Sequence, residues 1–126
     1  MSQEYIPGSC NIGKGEIRRR QVVAVAGAII SVTSLVGLIS TDAARSARFS
    51  LFIPLFVFAI GFVQSRKKFC LAYGFAGTFN FGSLGQISRV ADPAAKKADR
   101  KTALTILAQS TALALGLTLT IFVLPF

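Results

Sequence analysis

The chain has no histidine, no tryptophan, one methionine, two cysteines and only five acidic residues in 126. Each scarcity excludes something. Histidine is the commonest general base and a leading metal ligand, so its absence removes most nucleophile–base and metal chemistry. Two cysteines fall short of the four ligands of a closed zinc site. No Ser/His/Asp set, acid–base pair or metal cluster can be assembled. The reading is a protein that is not an enzyme, with no cofactor and no bound metal.

Acidic charge is the other scarcity. Fourteen Lys and Arg face five Asp and Glu, for a net charge of +9 and an isoelectric point near 10.4. Yet only 15% of residues are charged and 52% are hydrophobic. Soluble domains carry roughly 25% charged residues. A disordered basic tail would not be this apolar. The length fits a single domain, and the mean hydropathy of +0.60 points to a membrane.

Three stretches approach the roughly 20 apolar residues that a span requires. They cover 21–40, 47–64 and 103–125, with Arg48 at the edge of the second. Pro54 lies near the start of the second span, where a missing N–H costs least. The first stretch is not a signal peptide, because a 20-residue polar leader precedes it and no small-residue cleavage site follows. The expected fold class is all-α, an integral membrane protein of three transmembrane helices in one domain.

Basic residues set the expected orientation. Twelve of the fourteen lie in the leader, 1–20, and the second connection, 65–102; Arg45 and Arg48 lie in the first connection. This places the N-terminus and the second connection in the cytoplasm, and Phe126 at the outer face of a bacterial-type cytoplasmic membrane. The basic residues hug span ends, which speaks for topology and contact with anionic lipid. It speaks against a nucleic-acid surface. Lys14, Arg18, Arg19, Arg20, Arg66, Lys67 and Lys68 are the candidate headgroup contacts. None of the five acids lies in a span, which weakens any proton relay.

Residues 8–14 match the G-x-x-x-x-G-K part of a phosphate loop. Gly15 stands where that loop needs Ser or Thr, and no strand precedes it. What survives is a turn whose backbone N–H groups, with Gly13, meet one anion at a helix start near Gly15 or Glu16. The alternative is an ordinary turn at that helix start, with Glu16 in the first turn.

Small residues mark packing faces in membrane helices. Gly27, Ser31 and Ser34 form one such face in the first span. Ala108, Ala112, Gly116 and Thr120 form another in the third, flanked by Thr105 and Gln109. These two faces are expected to meet each other or another subunit, with the phenylalanines of the second span on the flanks.

After the second span, residues 69–82 mix aromatics with glycines. Such a segment lies in the interface, or it is a re-entrant, non-helical stretch buried against protein. Phe69, Tyr73, Phe75, Phe79 and Phe81 are its candidate partner contacts. Asp92 and Pro93 read as the N-cap and first residue of a short charged helix. Cys10 and Cys70 form a candidate thiol site; a disulfide is not expected on a cytoplasmic face. The segments G-S-C-N-I-G (8–13) and K-F-C-L-A-Y-G (68–74) read as motifs. The expected function is a non-catalytic structural or accessory subunit of a larger membrane assembly, its partners being anionic lipid and other membrane subunits. The alternatives are a homo-oligomeric pore or small transporter, and a cytoplasmic-face thiol or anion-binding module.

Overall fold

The computed structural model describes residues 5–82 and 87–125. Phe126, placed above at the outer face, lies outside the described residues. The chain is mostly helical. Helix α1 spans Lys14–Ser40, and a 3₁₀ segment, Arg45–Leu51, leads into α2, Phe52–Lys67. A short helix α3 (Leu71–Ala76) and strands β1 (Thr78–Phe79) and β2 (Ser88–Arg89) follow, and α4 runs Pro93–Val123. The two strands pair antiparallel, Thr78 opposite Arg89. Three helical segments, Lys14–Ser40, Arg45–Lys67 and Pro93–Val123, are long and apolar enough to cross a membrane.

The ends of these helices follow from local chemistry. Glu16 sits in the first turn of α1, where a carboxylate complements the helix dipole. Pro54 falls in the first turn of α2, where its missing N–H leaves no bond unmade. Lys68 closes α2 in the left-handed region, with φ 54°, and donates its N–H to the Gln64 carbonyl. Asp92 caps α4 by accepting from the Ala94 N–H at 3.1 Å, with Pro93 first in the helix.

The short charged helix expected after Pro93 is not separate from the third span. Pro93–Val123 is one unbroken helix of 31 residues, about 46 Å long at the usual rise. Residues 94–105 contain neither glycine nor proline and are rich in Ala, Lys and Arg, so nothing breaks the helix there.

Helix α2 lies between α1 and α4 and packs on both. Gly27 and Gly61 allow the first pairing. A Cβ on Gly27 would stand 2.5 Å from the Phe58 backbone nitrogen, and one on Gly61 would stand 2.8 Å from the Ala24 nitrogen. These two glycines bring the helix backbones into contact, as small residues do in membrane helix pairs. The small-residue face of α1 therefore meets α2, not α4. Gly27 and Ser31 are buried there, and Ser34 is half-buried.

The small-residue face of α4 does not meet that of α1. Ala108, Ala112, Gly116 and Thr120 are all exposed, whereas Ala103, Ile106, Ser110, Ala114 and Thr118 are buried. The two rows are offset by two residues, or about 200° around the helix. The buried row docks on the bulky α2, where Leu51, Leu55, Ala59 and Ala114 make one core cluster. A second cluster of Phe69, Ala103 and Ile106 fills the end where α4 begins.

Two arginines tie the opposite end. The Arg48 guanidinium donates to the carbonyls of Ile121 (2.8 Å) and Leu124 (3.1 Å), and Arg45 donates to Phe122 O at 3.0 Å. Cations at a helix C-terminus satisfy carbonyls that lack intrahelical donors. Arg48 is buried there, beside the Phe49–Phe122 ring stack at 4.6 Å.

Candidate functional site

The leader and the segment after α2 fold together into a polar cap over the end where α1 and α4 begin. Its interior holds Asn11, Glu16, Asn80 and Asp99, each at most 1% exposed. Buried polar groups must find partners or cost free energy; each of these residues has a hydrogen-bond partner, and the one buried oxygen among them without one, Glu16 Oε1, has Arg20 beside it.

Asn11 joins the two motif segments. Its Oδ1 accepts from the Cys70 N–H at 2.7 Å, and its Nδ2 donates to Cys70 O at 3.1 Å. A side-chain amide thus pairs with a main-chain amide as a strand neighbour would. The main chains beside it pair as well. The Asn80 N–H donates to Asn11 O and the Gly13 N–H to Asn80 O, both at 2.9 Å.

Asp99, on the second turn of α4, ties down the start of the described chain. It accepts from the Tyr5 hydroxyl and, at 2.7 Å, from the Gly8 N–H. Thr102 donates to Gly8 O at 2.6 Å. Tyr5 also stacks on Phe79, with ring centroids 4.8 Å apart.

Glu16 organises a third group. It accepts from the Tyr73 hydroxyl, and Arg20 stands 3.4 Å from its other oxygen. Arg20 also reaches the Cys70 sulfur at 2.9 Å and lies over the Tyr73 ring at 5.7 Å. Burial, then hydrogen bonding to a carboxylate, raises the pKa of both tyrosines above the ordinary phenol value. Arg19, Arg20, Gln64, Cys70 and Tyr73 line a cavity of about 310 Å³ beside this group.

The positions singled out from sequence divide accordingly. Gly13 does not offer its N–H to an anion, because Asn80 takes it. Glu16 supplies the negative charge at this helix start, which favours the ordinary turn. Arg18, Arg19, Arg66, Lys67 and Lys68 are exposed, as is Lys14, while Arg20 is half-buried and turned toward Cys70. Cys10 and Cys70 are both free thiols. They enter different contacts: Cys10 faces Ile12 O at 3.7 Å, and Cys70 faces Arg20.

Residues 69–82 include a helical turn, α3, and fold against this chain's own leader and α4. Phe69 is fully buried in the core and so is no partner contact. Tyr73, Phe79 and Phe81 are half-buried within the cap, and Phe75 is 39% exposed. Sequence reasoning missed Tyr5, Asn11, Asn80, Asp99 and the capping role of Arg48. The signal for Asn11 and Asn80 was a polar residue inside each glycine-rich, otherwise apolar segment.

Fold and cap together define a small helical protein with three candidate membrane spans and a structured polar cap at one end. No protein family, no curated protein and no solved structure matches this chain.

Proposed function

We propose that the protein is a non-catalytic subunit of a membrane assembly, with the cap on the cytoplasmic side and another membrane helix seated on α4. The observation that carries this reading is the outward row Ala108, Ala112, Gly116 and Thr120, with Thr105 and Gln109 exposed beside it. Small residues at this spacing let a second helix approach closely, and side-chain amides and hydroxyls hydrogen-bond across such contacts. The chain itself leaves this row unused. The most apolar stretches of all three spans are mostly exposed within the chain, with 17% buried in α1, 28% in the span that includes α2 and 22% in α4. The basic residues beside the cap support the orientation.

Extraction in mild detergent and native mass measurement test the reading. A hetero-complex is expected, and Ala112→Leu with Gly116→Leu should release the subunit. A functional 13.4 kDa monomer, indifferent to those substitutions, would overturn it.

The contact between Arg20 and Cys70, beside an open cavity, favours a second reading as a thiol or anion module. Cys70→Ser with unchanged assembly and phenotype would remove it.

A further inference from the structure

A groove of about 310 Å³ runs between α1 and α2 on the side away from the cap's polar cavity, lined mostly by apolar surface. Its walls are Val25, Ala28, Phe58 and Phe62. Gln21, Ser65 and Arg66 stand at one end, the same end as the basic clusters. The groove exists because of the glycine crossing. Gly27 and Gly61 draw the helix backbones together, while short side chains at 24 and 28 leave the space beside two phenylalanine rings unfilled. Arg66 lies over the Phe62 ring at 5.9 Å, which keeps its guanidinium at the mouth.

We propose that this groove seats one anionic phospholipid, an acyl chain lying along Val25, Ala28, Phe58 and Phe62 and the phosphate meeting Arg66. Two properties select this occupant. The groove is amphiphilic in the lipid sense, with an apolar trough and a cationic and hydrogen-bonding mouth. Guanidinium donors match phosphate oxygens in pairs. The walls belong to two helices apolar enough to cross a membrane, and their mouth falls where those apolar stretches end. The seat rests on the membrane placement in the proposed function and adds a defined lipid to it.

The test uses the full chain in vesicles of equal phosphatidylglycerol and phosphatidylcholine. Alkaline carbonate washing comes first, then native mass measurement of the retained lipid. The wild type is expected to stay in the membrane fraction and to keep one phosphatidylglycerol. Arg66→Gln should lower the preference for phosphatidylglycerol about fivefold, the loss expected for one basic residue near an anionic surface. Ala28→Phe fills the trough and should abolish retention of either lipid. Leu104→Phe, exposed on α4 and outside the lining, should change nothing. Unaltered retention in both Arg66→Gln and Ala28→Phe would overturn the seat, as would an equal loss from Leu104→Phe. Release by carbonate would overturn the membrane placement itself and the seat with it.

Discussion

Asn11 ties the leader to the segment after α2. It satisfies both main-chain groups of Cys70 from within the interior. Asn11→Ala should cost about 1–3 kcal/mol, because the Cys70 N–H then loses its buried partner, while Cys70 O keeps the Gly74 N–H at 2.9 Å. Denaturant unfolding in detergent would measure the loss, and Asn11→Asp should not restore it, since a carboxylate cannot donate to Cys70 O. The tyrosines give a second reading at this scale. Tyr5 and Tyr73 are the only two in the chain, there is no tryptophan, and each donates to a buried carboxylate. Absorbance at the tyrosinate band should therefore rise only above the ordinary phenol value of 10.0 in the folded protein. Asp99→Asn and Glu16→Gln should each return one tyrosine partway, leaving the part due to burial. The sign follows from the raised folded values. The stabilisation is fully present below the ordinary phenol value and is lost as pH rises through the higher folded ones.

Among the elements, the α1–α2 crossing is the tightest feature. Gly27→Ala places a methyl 2.5 Å from the Phe58 nitrogen, and backbone cannot yield as a flexible side chain would. The helices must separate, at about 1–3 kcal/mol. Gly37→Ala is the control. A Cβ there meets nothing within 4 Å, so it should be neutral or slightly stabilising in the same unfolding measurement. The elements themselves were legible from sequence because long uncharged runs mark spans and Asp92-Pro93 marks a helix start. Their pairing was not legible. A row of small residues shows that a helix can be approached closely, but not by which neighbour. In α1 the row faces α2; in α4 the buried face is set by the 103, 106, 110, 114 and 118 positions that fit the α2 surface. The segment after α2 was legible as unusual from its aromatics and glycines. Its partners were not, because Asn11, Asp99 and Tyr5 meet it or each other only through contacts far apart in sequence.

For the whole molecule, two unequal units share α2. The α1–α2 pair closes through residues 41–51, while α2 and α4 are separated by residues 68–92. Native-state hydrogen exchange should find the amides around Gly27 and Ala59 slowest, with Gly8, Asn11 and Asn80 exchanging earlier through opening of the cap. Asp99→Ala should accelerate exchange at Gly8 and leave the α1–α2 crossing unchanged. Uniform acceleration at both places would mean that cap and crossing open as one unit. The Asp99 clasp also has a temporal meaning. It joins residues 91 and 94 positions apart, so Tyr5 and Gly8 lack their Asp99 acceptor until α4 emerges. Throughout synthesis the α1–α2 hairpin can form on local contacts, and closure of the clasp waits for the start of α4. A ribosome that stalls before Asp99 leaves Tyr5 and Gly8 without this acceptor, so that the closed clasp marks a chain whose α4 has begun.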